Sequence, residues 1–587
     1  MDLVRSIKKR YNKWFKRKKT WVYSYFLQLT RPEALLQIQQ FEVQPLISVI
    51  SEVRNNDVKR LMQMVASLKL QYYNKWELCI TNRNSSDPAI LNFLETLEKE
   101  PNVRVIFLKN DISPAEALNE SLANVSGEYV AFINACDEIT PDAFYEAAYA
   151  INISKAEFIY SDEDKLGGNG QYLMPDFKPD FSLDLLLSKN YIGKLAFIHT
   201  SLIKRLNGFD TSLEDAFEYD MYLKCSEVAN KVYHISKVLY HQWIQSPVLE
   251  KTTSEGKRKA LQNFVRRNGI YGEVADGLLP NTYRVKRAII GQPLISIIIP
   301  FKDKPELLRT CIDSILAKSS YDNYEIIGIS NNSSAAETFD LMRFYEEKSD
   351  KIKFYEYNIP FNYSAINNYA AKIAKGSHLL LLNNDIEIIS EDWLEALLEQ
   401  SQRPEVGAVG ARLLYPDGTI QHAGVGIGIG GLADHLHKFF PGDSPGYAER
   451  ILVIQNFSAV TGACLMLKKS IFEQVGGLEE QLEVAFNDVD LCLRLREYNY
   501  LNVYTPFCLA FHHESISRGV DDTPEKQERA DKEIYFTQQR HEKILKAGDP
   551  YYNINFSLYH LDYSLDPKHL KAVKDPFFKK RKAVNKS

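Results

Sequence analysis

Leu379-Leu380-Leu381-Leu382-Asn383-Asn384-Asp385-Ile386-Glu387 is a run of four leucines that breaks abruptly into an Asn-Asn-Asp corner. Four such apolar residues predict a strand buried on both faces, as a parallel sheet requires. In open α/β sheets ligands collect beyond the carboxyl ends of the strands, so the corner is placed to offer carboxamide and carboxylate oxygens to a bound group. A hard cation such as Mg²⁺ or Mn²⁺ takes one or two carboxylates plus substrate phosphate oxygens. Asn and Asp are also ordinary turn residues, and the tripeptide alone leaves both readings open.

The surrounding chain sets the context. At 587 residues it exceeds one hydrophobic core, and its 45% hydrophobic and 25% charged composition is that of a globular protein of several domains. A net charge of only −5 gives no global argument for a nucleic-acid partner. Two basic stretches interleaved with or preceded by aromatics, Ile7 to Lys19 and Phe577 to Lys582, are of the kind that lies on anionic lipid, and equally of the kind that forms a solvated terminus. The cysteines are scattered, odd in number and without Cys-x-x-Cys spacing, which argues for a reducing compartment and against zinc. No apolar run reaches eighteen residues and the charged start lacks an apolar signal core, so a cytoplasmic protein is expected, with peripheral contact at the inner membrane face.

The strand Pro45-Leu46-Ile47-Ser48-Val49-Ile50 returns 248 residues later as Pro293-Leu294-Ile295-Ser296-Ile297-Ile298. Trp76-Glu77-Leu78 answers to Tyr324-Glu325-Ile326, and Asn119, Gly127 and Asn134 answer to Asn368, Gly376 and Asn383 at nearly the same offset. Later anchors drift, with Tyr219-Asp220 against Val489-Asp490 and His241 against His512, because the second copy carries an insertion. Within the second copy, strand-like runs at 293–300 and 324–330 alternate with helical patterns at 307–316 and 339–347, which reads as βαβ units and a mainly parallel sheet. The expected organisation is a basic helical segment over 1–44, a first copy over 45–250, a linker over 251–292, a second copy over 293–522 and a C-terminal extension over 523–587.

Six ordered segments of the second copy carry a resemblance: Leu294 to Pro300, Ile329-Ser330-Asn331-Asn332-Ser333, Leu382 to Asp385, Val460-Thr461-Gly462-Ala463-Cys464, Phe486-Asn487-Asp488-Val489-Asp490, and His512-His513-Glu514-Ser515. Together they resemble the family 2 glycosyltransferases of GT-A fold, in the tandem form that builds O-antigen, capsule or other bacterial surface glycans. The resemblance implies two Rossmann-like nucleotide-diphospho-sugar transferase domains with mainly parallel sheets, the second of them catalytic and inverting. It implies a nucleotide-sugar donor, uridine- or thymidine-linked, and a glycan or lipid-linked acceptor.

The implied roles can be weighed residue by residue. A departing diphosphate develops negative charge that a divalent metal neutralises. The family's metal triplet is usually Asp-x-Asp, whereas this chain keeps only Asp385, with Asn383 able to add a neutral oxygen and His512, or its neighbour His513, a nitrogen. One anionic ligand predicts a metal that binds well only with the donor present. Asp488 matches the family's base, although a carboxylate in a first helical turn also stabilises the helix dipole; Asp490 is the weaker candidate. Pro300, Phe301, Ser330, Asn331, Asn368, Asn383 and Asn384 are the expected donor contacts, and Gly462, Ala463 and His422 the expected acceptor contacts. The stretch Gly424 to Gly431 is formally close to a dinucleotide loop, yet lacks a following helix and acidic partner, and is read as an insertion near the acceptor.

In the first copy the metal triplet becomes Asn134-Ala135-Cys136, with no hard anion at its end, while Glu218 stands at the base position and Tyr160-Ser161-Asp162-Glu163-Asp164 forms an acidic run. A non-catalytic first copy is expected. The alternatives are a polymerase active in both copies, a glycan-binding scaffold with neither site active, and a dinucleotide-dependent oxidoreductase resting on the glycine stretch alone.

Overall fold

In the computed structural model, residues 29–168, 170–213, 215–244, 254–513 and 523–566 are described. Both basic stretches, and Glu514-Ser515 of the last motif, lie outside the described residues. The chain divides into two compact units: Met1–Phe181 with Asn190–Asn268 and Leu565–Ser587, and Ser182–Lys189 with Gly269–Ser564. Among the described residues no helix is long and apolar enough to cross a membrane.

The second unit begins with a hairpin, β1 (Gly272–Asp276) and β2 (Tyr283–Arg287). Its main sheet starts with β3 (Ile295–Phe301), buried at every position, then α1 (Pro305–Lys318), β4 (Tyr324–Ser330), α2 (Ala336–Lys348), β5 (Ile352–Glu356), α3 (Tyr363–Ile373) and β6 (His378–Leu382). β3 pairs in parallel with both β4 and β6, the arrangement predicted from the leucine run. Both helices extend past their apolar patterns, and α1 starts at Pro305, which fits a first helical position because its missing N–H costs nothing there. After β7 (Ile386–Ile388), α4 (Trp393–Ser401), β8 (Val406–Leu414), β9 (Ile420–His422), β10 (Val425–Ile427), β11 (Ala433–His435) and β12 (Gln455–Phe457), β13 (Cys464–Lys468) inserts antiparallel between β6 and β8. The unit closes with α5 (Lys469–Gln474), α6 (Asn487–Glu497), β14 (Leu501–His512), α7 (Pro524–Arg540) and α8 (Glu542–Ala547). The sheet runs β5-β4-β3-β6-β13-β8-β14-β7.

The first unit repeats this order, 103–108, 76–83, 47–53, 129–132, 196–199, 158–167, 232–244 and 138–139. Several repeat anchors have the same mechanical task in both copies. Ser296 Oγ donates to Glu325 (2.6 Å) and accepts the Gly376 N–H (2.8 Å); Ser48 Oγ donates to Glu77 (2.6 Å) and accepts the Gly127 N–H (2.9 Å). These bonds lace the amino ends of neighbouring strands. A Cβ on Gly376 would stand 2.6 Å from the Leu294 carbonyl, and one on Gly127 2.6 Å from that of Leu46.

Residues 251–292, expected as a linker, carry ordered structure in both units. The helix Glu255–Arg267, capped by Ser254, belongs to the first. Arg284 of β2, in the second, bonds Glu399 (3.0 Å) and Asp392 (3.2 Å) and lies over Phe507. The second unit also takes Leu183–Ser188, a short helix whose Asp184 pairs with Arg403 at 2.6 Å and accepts from Asn456 at 2.7 Å. Most of the expected extension, through Ser564, falls in this unit as well.

Because the backbone approach at Gly376 leaves no room for a methyl group, Gly376→Ala is expected to destabilise the second unit by about 1–3 kcal/mol, the range for overpacking a tight site. Urea unfolding followed by tryptophan fluorescence checks this through a lowered midpoint.

Candidate active site

The Asn-Asn-Asp corner is fixed from three directions. The Asn383 N–H donates to the Ala463 carbonyl (3.0 Å), the Ile386 N–H closes the turn onto the Asn383 carbonyl (3.3 Å), and β7 then pairs antiparallel with β14, setting Ile386 opposite His512. This register brings His512 Nε2 to 3.3 Å from Asp385 Oδ1, both side chains buried. His513 turns away, its Nε2 on the Glu387 carboxylate at 2.9 Å, so His512 is the histidine that meets Asp385.

The pair fits a hard cation. Two adjacent ligands of an octahedral ion at metal–ligand distances near 2.1 Å are about 3 Å apart, close to the separation found. The Asn383 side chain makes no hydrogen bond among the described residues and is partly exposed, so its oxygen is open to a ligand; Asn384 is buried beside it. Among the described residues no group of three or more His, Cys, Asp or Glu side chains converges on one point. Among the described residues the corner thus offers the Asp385 carboxylate, the His512 ring and the Asn383 side-chain oxygen.

Asp488 lies in the first turn of α6, which begins at Asn487 after Phe486, whose backbone is left-handed (φ +60°). One carboxylate oxygen accepts the Gly462 N–H (2.7 Å), the other the Val489 N–H (2.8 Å), and the side chain remains partly exposed. Gly462 permits the approach, since a Cβ there would lie 3.2 Å from Asp488 Cβ. Tyr363 donates to the Gly462 carbonyl (3.1 Å); burial, with the charges of Asp488 and Asp385 nearby, pushes its ionisation above the ordinary phenol range. This tyrosine lies in the field of both carboxylates, and no motif of the sequence points to it. Asp490, by contrast, is fully buried between Arg494 Nε and His541 Nε2, each at 2.8 Å, and is structural.

On the donor side, β3 and β4 end in register, Phe301 opposite Ser330. Ser330 Oγ is buried and has no hydrogen-bond partner among the described residues. Pro300 is buried, and Phe301 packs into the core with its ring edge-on to Phe354. Two expected donor contacts have other work. Asn331 Nδ2 donates to the carbonyls of Tyr357 and Ile359, each at 2.9 Å. Asn368 donates to the Leu478 carbonyl and accepts the Leu478 N–H, both at 2.9 Å; Asn119 makes the same two bonds to Phe209 in the first unit. That shared task accounts for its recurrence between the copies.

His422, expected to touch the acceptor, is fully buried and has both ring nitrogens engaged. Nδ1–H donates to the Ala411 carbonyl (2.7 Å), and Nε2 accepts the Thr461 N–H (3.2 Å). It holds the Thr461-Gly462-Ala463 loop and offers no nitrogen to a sugar. Burial drives its pKa well below the ordinary imidazole value and keeps it neutral. His435 stands edge-on to it at 5.0 Å, with Nδ1 on the Gln421 carbonyl. His437 is buried against Tyr563 and accepts the Tyr447 N–H. The glycine stretch forms the β10–β11 hairpin, with its Ile427 N–H on Asp549 and its Gly430 N–H on the Leu558 carbonyl, so these amides are not left for phosphate.

In the first unit the corresponding carboxylates are matched by the chain's own cations and donors. Ala131 pairs with Phe197 as Leu380 pairs with Met466, so Lys194 stands where Ala463 does. Its Nζ bonds Glu218 at 2.8 Å, the residue at the base position. Asp137 accepts from the Tyr240 hydroxyl and the Trp243 N–H, and burial raises its pKa to about 6. Burial likewise opposes ionisation of Glu163, but Lys178 and Lys165 outweigh it and hold the pKa at about 2. Asp164 sits 2.6 Å from His241.

The pattern of glycosyl transferase family 2 matches residues 48–199 and 296–476, more than half of the chain and one segment in each copy. The chain belongs to this family and carries its GT-A fold twice. It is 39% identical over 541 residues to an uncharacterized protein of Sinorhizobium fredii (strain NBRC 101917 / NGR234), covering 90% of this chain and 59% of that one. It is 37% identical over 536 residues to the O-antigen biosynthesis protein RfbC of Myxococcus xanthus, covering 89% and 41%. A shorter match, 32% over 136 residues and 22% and 44% of the two chains, is to the N-acetylglucosaminyl-diphospho-decaprenol L-rhamnosyltransferase of Mycobacterium tuberculosis (strain ATCC 25618 / H37Rv). The chain thus spans about half the length of the two long relatives. The solved S. aureus TarS fragment 1–349 with UDP-GlcNAc overlaps at 19% identity and a TM-score of 0.32, over 38% of this chain and 65% of that one, too little to carry a residue role across.

The neutral state of His422 sets a pH dependence. The unfolded chain takes up a proton near pH 6.5 that the buried ring refuses, so stability is lost as pH falls from 7 to 5. Urea midpoints at both pH values are expected to drop further for the native chain than for His422→Gln.

Proposed function

We propose that the second unit is an inverting glycosyltransferase that moves a sugar from a nucleotide-diphospho-sugar to a glycan or lipid-linked acceptor in bacterial surface polysaccharide synthesis. The observation that carries the reading is the placement of two carboxylates on either side of Gly462-Ala463: Asp385 beside His512, and Asp488 on the Gly462 amide. Membership of family 2 and the likeness to an O-antigen biosynthesis protein support the class of reaction and its setting.

Asp488 acts as general base. Its partly exposed carboxylate takes the proton of the acceptor hydroxyl as that oxygen bonds the anomeric carbon, and the carbon–oxygen bond to the diphosphate breaks from the opposite face, which inverts the configuration. Holding Asp488 on a backbone amide fixes its direction without neutralising it. Asp385, His512 and Asn383 would hold a Mg²⁺ or Mn²⁺ ion, which would supply charge stabilisation to the leaving diphosphate. Ser330 and Asn384, at the ends of β4 and β6, serve the nucleotide side, and Gly462-Ala463 let the acceptor sugar lie close to backbone. In the first unit the Lys194–Glu218 pair and the Asn-Ala-Cys corner support a non-catalytic role.

Replacing Asp488 by Asn is expected to abolish transfer while donor binding, read by calorimetry, stays within severalfold of the native chain, because a base contributes to the barrier and little to ground-state affinity. Near-native turnover would remove Asp488 from the mechanism. With only one anionic protein ligand, Mn²⁺ is expected to give no calorimetric signal until nucleoside diphosphate is added; tight binding to the protein alone would contradict the proposed site.

A further inference from the structure

The loop that delivers Asp488 is held by α7, which lies outside both segments matched by the family pattern. Glu533, in the third turn of α7, is 2% exposed, and its two carboxylate oxygens accept the backbone N–H groups of Val484 (2.9 Å) and Ala485 (3.1 Å). These are the residues immediately before Phe486, whose left-handed backbone aims the start of α6. For a bulky residue that conformation is strained and persists only where the surroundings fix it. Two more contacts flank the same segment. Arg540 Nη1 bonds Glu479 at 2.6 Å, before the turn, and His541 Nε2 bonds Asp490 at 2.8 Å, after it. From α3 the Tyr363 N–H donates to the Glu483 carbonyl (2.7 Å) and Ser364 Oγ donates to the Leu482 carbonyl (2.7 Å). Asp488 thus lies in a segment clamped on both flanks, and its carboxylate accepts the Gly462 N–H.

We propose that Glu533 is a positioning residue for transfer: its carboxylate fixes Val484 and Ala485 so that the Phe486 turn presents the Asp488 oxygen to the acceptor. This rests on the reading of Asp488 as base. Charged hydrogen bonds to two otherwise unpaired loop amides make a stiff mount, and loss of a carboxylate that has no contact with substrate acts through the misplacement of another. A displacement of the order of 1 Å at a reacting group costs roughly hundredfold in rate.

The test compares Glu533→Ala and Glu533→Gln with the native full-length chain in a turnover assay over a nucleotide-sugar panel, with hydrogen exchange across residues 479–490 as a second readout. Expected for Glu533→Ala is a kcat lowered by roughly hundredfold with donor KM little changed, an unchanged thermal midpoint for the bulk of the fold and faster exchange at 484–490. Glu533→Gln, which keeps one acceptor, is expected to fall between the two. Native kcat in Glu533→Ala, or unchanged exchange over 484–490, overturns the proposal, as does a parallel loss of kcat and donor binding that Glu533→Gln does not relieve. If Asp488→Asn turns over donor normally, the base assignment fails instead, and the exchange measurement still decides whether Glu533 holds this loop.

Discussion

Everything at the site depends on one register: β7 lies antiparallel to the end of β14 with Ile386 opposite His512. A strand shifted by one residue turns every side chain to the other face. A slip here would send Asp385 away from His512 and leave a buried carboxylate without the imidazole. The register is set by the burial of Ile386 and Ile388 on one side and by the Asn383–Ala463 hydrogen bond that fixes where β6 stops. The leucine run secures the same point from within, because β6 has a strand on each side and no freedom to slide. Chemistry is thus anchored by core packing in the sheet, and only the last few polar atoms face the ligand.

Duplication shows which parts of this frame are mechanical. The Ser–Glu–Gly lacing at the amino ends of the strands and the asparagine that grips the loop after the 200–205 or 469–474 helix occur in both units with nearly equal distances. The residues at the carboxyl ends diverge. Where the second unit has Ala463 and Asp488, the first has Lys194 and Glu218 bonded to each other, and its acidic strand is balanced by Lys178, His234 and His241. Charges buried in this way need partners. A cation from the chain pairs with Glu218 there, whereas Asp488 in the second unit accepts from the amides of Gly462 and Val489.

Much of this was legible in the sequence. The repeat, the βαβ frame and the strand end at Asp385 follow from local apolar patterns and the recurrence of segments, whereas Asp488 is proposed as base from the family resemblance. What was not legible depends on partners distant in the chain. Asn331, Asn368 and His422 have the composition of ligand-binding residues beside motifs, yet each is taken by backbone groups 26 to 110 residues away or, for His422, by Ala411 and Thr461. Tyr363 lacks any motif and reaches the site only because α3 packs under the Gly462 loop. The membership of Leu183–Ser188 and of α7 in the second unit likewise rests on buried contacts that no local pattern announces, Asp184 with Arg403 and Glu533 with the amides of Val484 and Ala485. The choice between His512 and His513 needed the register as well, since both follow the same apolar run.

We propose a single active centre, organised on Asp385 in the second unit. Nucleotide-sugar turnover measured side by side in Asp385→Ala and Glu218→Gln decides it. Turnover is expected to disappear in the first and to persist in the second. Turnover that survives Asp385→Ala but is lost with Glu218→Gln would contradict it and move the chemistry to the first unit.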